Sequence, residues 1–476
     1  RKREMEKEGR LRLRPIGMEE EVEPLEFIEE MTSHVDEVQQ MVLDDILSTN
    51  AYTEYLQRNG IFGGSIDRKT FKSKLPIIEY KDILPNIQRI PNSDPSPMFS
   101  AQPISELLVS SRTSGGEQKI ILLIANHHEG IYTIFGWLIP TVMNKHFESI
   151  LNYEKRHDSS MTNRNVSGLD KGKVLFFFST RTETKSPAGI IMRPVLTSYY
   201  KSPQFLCKHY ANINYTSSIP SIHCTDVFQS LYAQMLARLA DRLAIFQIGS
   251  TFASSFLQAI RSLKHQYQEL AVDIAHGTVN LQVTDTAVRA ALRNALTPDL
   301  ENAEHIRKEC SSGDFQGIIK RIWPNTKFLN LVVTGSMAQY IPSLNFYSGD
   351  LPLASTAYGS SECFFGLNLY PFTKPEDIAY TIMPNVAYFE FLPIKPADDI
   401  GQISAMQVVD PVDLAHVDDG KEYELIVTTY SEVLLRAYYK AIGPLEIKLV
   451  KGGAFLEVMD HAIARGASAA QYKSPK

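Results

Sequence analysis

The sequence predicts an α/β protein in which sheets are flanked by helices. Two short apolar runs typical of buried strands, at residues 107–109 and 174–178, each end in a dense polar loop. Long amphipathic segments follow in the second half, with apolar side chains recurring at the spacing of one helix face. Because α/β proteins place ligands in the loops at strand ends, these polar loops are the first candidates for a functional site.

The composition is typical of a globular protein with two to three domains, or one large domain with an appendage. The 476 residues are 44% hydrophobic and 21% charged, and the formal net charge of −6 does not support nucleic-acid binding as the main role. The four cysteines are widely scattered, without a C-x-x-C pair, which favours reduced thiols in a cytoplasmic protein. No long uninterrupted apolar run occurs, so no transmembrane helix is expected.

Elements can be assigned in order along the chain. Residues 1–22 mix basic residues with glutamates and lack an apolar core, which predicts a disordered tail; a nuclear or membrane-surface signal is the alternative. The predicted helices cover residues 26–50, 131–143, 226–245 and 252–274. A polar surface insertion is expected at residues 152–173. The predicted strands of the second half cover residues 328–333, 353–358, 387–392 and 423–429.

The loop at residues 110–119 has the chemistry of an anion site. It contains four hydroxyl side chains and two adjacent glycines, and it ends in Lys119. Glycines let the backbone approach a ligand closely, while N–H and O–H groups donate to phosphate oxygens. The glycine and lysine spacing is not that of a Walker loop. We therefore predict a nucleotide-phosphate cradle; the alternative is a serine- and glycine-rich turn that binds nothing.

A second polar turn lies at residues 358–362, where the sequence reads Tyr-Gly-Ser-Ser-Glu. Its hydroxyl and amide groups can hydrogen-bond a nucleotide, and Glu362 can hold a divalent cation beside a phosphate. The turn is a weak signal by itself and becomes informative beside the first loop. The polar loop at residues 180–187, directly after a buried strand, is a third candidate; a plain surface loop is the alternative there.

Several longer strings resemble the plant acyl-acid amido synthetases of the Gretchen Hagen family, and most of all the subgroup that conjugates indole-3-acetic acid. The matching strings lie at residues 99–106, 193–200, 321–327, 334–342 and 358–367. The resemblance covers nearly all of residues 26–429. It implies an acyl-adenylate-forming large domain over residues 23–430, followed by a remnant α/β C-terminal segment over residues 431–476.

The resemblance implies a two-step ligase with ATP and Mg²⁺ as cofactors. ATP and a carboxylic acid would form an acyl-adenylate and pyrophosphate, and the amine of an amino acid would then attack the acyl carbonyl to form an amide and AMP. A free carboxylate is a poor electrophile, and adenylation supplies the leaving group that it lacks. Catalysis then depends on neutralising charge and positioning the reactants. The expected partners are a small carboxylic acid and an amino acid, with no nucleic acid and no membrane, for a cytoplasmic monomer.

The resemblance also assigns roles to individual residues. The ATP-binding residues would be Ser110, Ser111, Thr113, Ser114, Tyr358, Gly359, Ser360 and Ser361. The residues facing the amino-acid substrate would be Thr182, Glu183, Thr184, Lys185 and Ser186. The implied catalytic residues are Glu362, as the metal ligand, and Lys473, which would reach the adenylate.

The sequence departs from the family pattern in two places. Arg112 stands where the family has glycine. Its guanidinium could contact phosphate; the alternative is that a positive φ at this position costs roughly 1–2 kcal/mol and that the bulk of the side chain obstructs the cradle. On the order of a hundred residues of the pattern are missing after Tyr430, including a ribose-binding aspartate, and the roughly 45 that remain are too few to bury a core alone. We expect a helix over residues 431–441, a strand over 445–450 and a helix over 454–465.

These departures leave a second interpretation open. The chain would then be a catalytically impaired or inactive member of the family that only binds acid or nucleotide. A third interpretation, an unrelated phosphate-binding module, is weakened by the long matching strings.

Overall fold

The structure is a computed structural model that describes residues 24–62, 66–92, 97–110, 119–124, 134–136, 138–146, 172–210, 213, 215–394, 410–430, 436–438 and 445–446. The predictions for the tail at residues 1–22 and for a helix at 454–465 lie outside these ranges, as does nearly all of the predicted insertion at 152–173. Arg112 also lies outside the described residues.

The described helices and strands occur in groups along the chain, with helices at the N-terminal side, strands and helices mixed in the middle, and strands after residue 353. The helices are α1 (Pro24–Ser33), α2 (Val35–Thr49), α3 (Glu54–Arg58), α4 (Arg68–Lys74), α5 (Tyr80–Ile87), α6 (Val195–Lys201), α7 (Ile219–His223), α8 (Val227–Ala240), α9 (Ala253–His276), α10 (Thr286–Ala295), α11 (Leu300–Ser311), α12 (Ile318–Ile322) and α13 (Ile341–Ser348). Residues 134–136 and 138–146 are also helical, in agreement with the prediction for that region. The strands are β1 (Glu106–Val109), β2 (Ile120–Leu123), β3 (Lys173–Phe177), β4 (Thr184–Lys185), β5 (Ile191–Pro194), β6 (Ile245–Phe252), β7 (Phe328–Val332), β8 (Leu353–Ala354), β9 (Ala357–Gly359), β10 (Phe364–Leu367), β11 (Thr381–Ile382), β12 (Tyr388–Pro393), β13 (Val412–Asp413), β14 (Glu422–Thr428), β15 (Ala437–Tyr438) and β16 (Leu445–Glu446).

The strands form four sheets within the described residues. The first has the order β2-β1-β5-β4, and β1 pairs with β5 in parallel and with β2 in antiparallel register. The second has the order β3-β6-β7-β8 and is parallel throughout. The third is an antiparallel sheet in the order β11-β10-β9. The fourth has the order β13-β12-β14-β15, with β16 also paired to β14.

Two large hydrophobic cores hold the sheets and helices together. One joins the N-terminal helices to the third and fourth sheets, through buried side chains such as Val42, Phe365 and Phe389. The other surrounds the parallel sheet and includes Leu239 of α8 and Leu263 of α9. The apolar stripes predicted for these helices are therefore core positions.

The structure corrects the predicted helix at residues 26–50. Two helices cover this region, and His34 between them has the non-helical dihedral angles φ −116° and ψ 38°. The predicted apolar face is confirmed, since both helices bury it in the same core; its buried members are Phe27, Met31, Val38, Val42 and Ile46.

A further correction concerns the predicted helix at residues 226–245. The helix ends at Ala240, and residues 245–252 form β6, an interior strand of the parallel sheet that the sequence reading missed. Leu243, which lies within the region predicted as helix, is 59% exposed. The first six residues of β6 are buried although its sequence, IFQIGSTF, contains polar residues, so neither an apolar run nor a regular alternation marks it as a strand.

The C-terminal segment continues the fourth sheet. Residues 437 and 438, predicted as part of a helix, form β15 and pair with Val427 and Ile426 of β14. The strand predicted from residue 445 is confirmed at β16, which pairs with the beginning of β14. Both strands run antiparallel to β14 along the same edge, so the described parts of the segment complete a sheet.

Candidate functional site

The first polar loop leaves and re-enters the first sheet at adjacent positions. The Ser110 backbone N–H donates to the Lys119 carbonyl over 3.0 Å, and the Ser110 hydroxyl accepts the Lys119 N–H over 3.0 Å. Ser110 is buried, so its hydroxyl closes the base of the loop. Ser111, Thr113 and Ser114 lie outside the described residues.

Tyr80 of α5 supports the end of this loop, and the sequence reading missed it. Its hydroxyl accepts the Ile120 N–H over 2.7 Å, which holds the first residue of β2. The Lys119 ammonium nitrogen lies 5.5 Å from the centroid of the Tyr80 ring, within the range of a cation–π contact. No sequence pattern connects Tyr80 to a loop 40 residues away.

The second polar turn joins β9 to β10 and is closed by its own serine. The Ser360 hydroxyl accepts the N–H groups of Glu362 and Cys363 over 3.2 and 3.4 Å, and the Ser360 N–H donates to the Cys363 carbonyl over 2.8 Å. Gly359 is exposed, and a Cβ there would lie 3.1 Å from the Cys363 carbonyl oxygen. The turn is therefore a compact unit that carries the Glu362 side chain at its tip.

The end of the first polar loop, at Lys119, contacts the second turn. The Lys119 ammonium lies 3.2 Å from a Glu362 carboxylate oxygen, although the residues are 243 positions apart. The Glu362 side chain is 10% exposed and that of Lys119 is 39% exposed, so water screens the pair only in part. A cation and an anion thus meet where two predicted phosphate-binding turns converge.

The Tyr358 ring lies behind the second turn. Its hydroxyl oxygen is buried and has no hydrogen-bond partner in the part of the chain that the structure describes. Burial raises the pKa of this phenol above its ordinary value, so the hydroxyl stays protonated and can donate. An unsatisfied buried hydroxyl is costly, and a bound polar ligand would relieve this cost.

The loop predicted to face an amino-acid substrate lies on the edge of the first sheet. Residues 184–185 form β4, and the Thr182, Thr184 and Lys185 side chains are exposed. Ser186 is buried, and its hydroxyl accepts the Ile190 N–H over 3.2 Å. Ser186 therefore closes a turn, while the exposed side chains remain available to a ligand.

Glu183 belongs to a charged network with β5 and α6. Its carboxylate pairs with Lys201 at 3.0 Å and with Arg193 at 3.1 Å, and these contacts, with Lys201 first, lower its pKa. Arg193 also binds Glu106 of β1, which accepts the Ser198 hydroxyl over 2.7 Å. Together these contacts join the loop to β1 and to α6.

The strand register of the first sheet places the first polar loop and the start of the 182–186 loop at the same end of the sheet. Val109, before the first polar loop, pairs with Pro194, the last residue of β5. Because Thr184 pairs with Met192 in antiparallel register, the residues just before β4 lie toward that same end. The first sheet therefore presents the first polar loop and the start of the 182–186 loop at a common edge.

The described residues contain no cluster of three or more His, Cys, Asp or Glu side chains that could hold a metal ion. Glu362 is the metal ligand that the sequence proposes, and Lys473 lies outside the described residues. In the described part of the chain, no helix combines the length and apolar character needed to span a bilayer.

Three regions of the chain match known domains of one family. Residues 24–353 match the GH3 family N-terminal domain, residues 380–436 the GH3 family central domain, and residues 430–476 the GH3 family C-terminal domain. The family resemblance recognised from the sequence strings is thereby confirmed.

Curated relatives carry amido synthetase names. The chain is 49% identical over 414 residues to "Indole-3-acetic acid-amido synthetase GH3.8" of Oryza sativa subsp. indica, an alignment covering 87% of this chain and 64% of that protein. It is 46% identical over 415 residues to "Indole-3-acetic acid-amido synthetase GH3.2" of Arabidopsis thaliana, covering 87% of this chain and 72% of the relative. The chain thus spans about two thirds of the length of such relatives.

A third relative shows that the lengths differ. The alignment to "Probable indole-3-acetic acid-amido synthetase GH3.2" of Oryza sativa subsp. japonica has 38% identity over 579 residues and covers 96% of this chain and 91% of the relative. This span exceeds the 476 residues of the chain, so the relative has residues without a counterpart here. The prediction that part of the family pattern is missing agrees with this excess.

The fold is shared with solved structures. The chain superposes on "AtGH3.15 acyl acid amido synthetase in complex with 2,4-DB" with a TM-score of 0.76 and 36% sequence identity, over 91% of this chain and 70% of that one. The predicted α/β class, with sheets flanked by helices, is confirmed. With the family domains matched over most of its length, the chain belongs to the GH3 family.

Proposed function

We propose that the chain conjugates an amino acid to a carboxylic-acid plant hormone, indole-3-acetic acid, through an acyl-adenylate formed from ATP. The observation that carries the proposal is the contact between Lys119 and Glu362, which brings two hydroxyl- and amide-rich turns together. The names of the relatives supply the reaction class and the acid. The α-phosphate and the acid carboxylate would meet between these turns.

The residues of this chain would position the nucleotide by hydrogen bonds and neutralise its phosphate charge. The loop that begins at Ser110 would donate N–H and O–H groups to phosphate oxygens, with Ser111, Thr113 and Ser114 as the proposed hydroxyl donors. The turn from Tyr358 to Ser361 would bind the adenine side of the nucleotide. Lys119 would neutralise phosphate charge, which favours attack of one anion on another.

Glu362 fits a magnesium ion that ATP brings with it. Mg²⁺ in nucleotide sites binds one or two carboxylates, with phosphate oxygens and water as the other ligands, so a site with a single carboxylate is sufficient. Bound magnesium would polarise the phosphate oxygens. Because the Lys119 ammonium pairs with Glu362 in the structure, a site in which Glu362 held magnesium would leave this ammonium able to contact a phosphate oxygen.

The amino-acid substrate would approach along the edge of the first sheet. Thr182, Thr184 and Lys185 are exposed there, and Glu183 would present its partly exposed carboxylate to an ammonium group. Ser186 would hold the turn. Lys473 is the proposed group that reaches the adenylate. These steps are proposed for a cytoplasmic monomer, with a large domain over residues 23–430 and a reduced C-terminal segment over 431–476.

A second candidate function is binding of acid or nucleotide without turnover. The observation that favours it is the longer alignment to the japonica relative, which leaves residues of that protein without a counterpart. In addition, β15 and β16 pair with β14, so the described part of the C-terminal segment is bound to the fourth sheet. The described strands, paired in this way, are poorly placed to move as a lid that opens and closes over an active site.

One experiment separates the two candidates. The full chain is incubated with ATP, Mg²⁺, indole-3-acetic acid and an amino acid, while acid-dependent pyrophosphate exchange and conjugate formation are measured separately. Both signals are expected for the synthetase. Calorimetric binding of AMP or the acid, without either signal, would establish the binding-only member. Absence of binding and of both signals would reject both candidates.

A further inference from the structure

Tyr380 stacks on Tyr358 across the third sheet. The ring centroids are 5.2 Å apart with an interplanar angle of 22°, which is the geometry of a stacked pair. Tyr380 directly precedes β11, and Tyr358 lies in β9. The strand between them is β10, so the two rings meet over its surface.

Gly366 lets the strand that follows Tyr380 lie close to β10. In β10 it pairs with Tyr358 on one side and with Ile382 on the other, so it lies between the two outer strands at the level of the Tyr358 ring. A Cβ at this position would lie 2.1 Å from the Thr381 carbonyl oxygen, a contact that the backbone cannot accept without moving. The missing side chain therefore allows β11, which Tyr380 directly precedes, to lie close to β10.

The hydroxyl of Tyr380 is fixed at the other end of the ring. It bonds the Thr334 hydroxyl at 3.1 Å and the Ser355 hydroxyl at 3.0 Å. Thr334 and Ser355 follow the carboxyl ends of β7 and β8, which are neighbouring strands of the parallel sheet. The carboxyl edge of a parallel sheet is the usual ligand-binding edge of an α/β fold.

The Tyr358 ring is held by other rings and not by its own hydroxyl. Besides Tyr380, it contacts the Phe365 ring at 5.0 Å with an interplanar angle of 48°. Its hydroxyl is buried and lacks a partner among the described residues. The orientation of Tyr358 therefore depends on the ring beneath it, and its O–H donor is left for a bound molecule.

We infer that Tyr380 is a positioning residue that holds the Tyr358 ring against the second polar turn for contact with a nucleotide. The inference rests on the proposed function, since it takes Tyr358 as part of the nucleotide site. Tyr380 also connects that site to the carboxyl edge of the parallel sheet through Thr334 and Ser355. Tyr380 acts by contact alone. Its ring is anchored through the hydroxyl group, and by stacking it keeps the Tyr358 ring in place.

The test compares Tyr380→Leu with Tyr380→Phe in the full chain. Calorimetry measures the Kd for AMP and, separately, for indole-3-acetic acid, and thermal unfolding verifies the fold. Tyr380→Leu should weaken AMP binding about five- to tenfold, the scale of one aromatic pair, and leave acid binding within about twofold. Tyr380→Phe keeps the ring and should lose about threefold or less. Equal AMP binding by Tyr380→Leu and the wild type would overturn the inference, as would an equal loss for AMP and the acid.

The matched control is Phe228→Leu, which removes one ring of the stacked Phe228–Tyr232 pair on α8, at 5.8 Å and 26°. It should leave AMP binding unchanged.

A second readout is the ¹⁹F resonance of 3-fluorotyrosine placed at position 358, measured without nucleotide. Tyr380→Leu should shift and broaden this resonance, and an unchanged resonance would overturn the inference. If the wild type binds no AMP, the proposed function fails, and the ¹⁹F comparison still decides whether Tyr380 orients Tyr358.

Discussion

Arg436 and Glu390 form a buried bidentate ion pair at the start of the C-terminal segment. The Arg436 Nε lies 3.0 Å from Glu390 Oε2 and its Nη2 lies 3.1 Å from Oε1, with side-chain exposures of 5% and 0%. Arg436 Nη1 donates to the carbonyls of Lys72 and Leu75, at the C-terminal end of α4. The pair thus joins an N-terminal helix, the fourth sheet and the segment that follows Tyr430.

Replacing only one residue of this ion pair should strongly destabilise the folded protein. Burial raises the pKa of Glu390, and attraction to Arg436 limits the rise, so the pair is held at a desolvation cost. Glu390→Gln leaves the guanidinium without its counter-charge, and we expect a loss of about 3–5 kcal/mol in the free energy of unfolding. Urea denaturation followed by circular dichroism measures it. The Glu390→Leu, Arg436→Met double variant should recover much of the loss, whereas an additive loss would contradict this account.

Arg238 should be replaceable with a gain in stability. It is completely buried, its Nε and Nη1 have no hydrogen-bond partner among the described residues, and burial lowers its pKa well below the ordinary value. Arg238→Met keeps the apolar stem and removes the charge, so we expect about 1–3 kcal/mol of added stability. The exposed Arg293→Met serves as control and should change stability by about 0.5 kcal/mol or less. A destabilised Arg238→Met protein would show that the bonds to Phe176 and Ser217 outweigh the buried charge.

His146 should make the protein acid-sensitive. Burial lowers its pKa from 6.5 to about 4, and its Nε2 lies 2.5 Å from the Leu369 carbonyl oxygen. The folded state favours the neutral ring, so its contribution is complete above pH 6.5 and is lost as the pH falls toward 4. The loss amounts to about 3 kcal/mol below pH 4. Urea unfolding between pH 7 and pH 4 should show a weaker pH dependence for His146→Gln than for the wild type.

Gly366→Ala should destabilise the third sheet, because the new methyl group would lie 2.1 Å from the Thr381 carbonyl oxygen. We expect a cost of about 1–3 kcal/mol, typical of overpacking. Gly136→Ala is the matched control: within the described part of the chain, no atom outside its own helix backbone and chain neighbours lies within 4 Å of the added Cβ. The residue is helical, so the change should stabilise by about 0.5–1 kcal/mol. Thermal unfolding of both variants measures the contrast, and equal melting temperatures would refute the steric argument.

The Lys119–Glu362 contact predicts that substitutions of its two residues shift the Mg²⁺ concentration for half-maximal rate in opposite directions. Glu362→Gln should reduce acid-dependent pyrophosphate exchange about a hundredfold, the scale of one lost electrostatic contact, and raise the Mg²⁺ concentration for half-maximal rate. Lys119→Met removes the competing ammonium, so it should lower that Mg²⁺ concentration while raising the KM for ATP. The exposed Glu301→Gln on α11 should leave all three quantities unchanged. If the exchange rate of Glu362→Gln depended on Mg²⁺ concentration as that of the wild type does, Glu362 would not be a magnesium ligand.

Some features of the site follow from local sequence and others do not. The turn at residues 358–362 was predicted because serine, glycine and glutamate between apolar strands have a clear local preference. The same reasoning missed β6, because the strand mixes buried polar residues with apolar ones and has no distinctive period. It also assigned residues 437–438 to a helix, although pairing with β14 makes them a strand. Short segments adopt the structure that their partners impose.

The amino-acid sequence alone determined the α/β class, the two polar turns and the family, because these are properties of neighbouring residues and of long matching strings. Tertiary structure alone decided that Lys119 meets Glu362 across 243 positions and that Tyr380 lies beneath Tyr358. It also decided that Arg436 is buried against Glu390. Such contacts depend on how sheets and helices pack, and packing between distant segments leaves no periodic trace in the sequence.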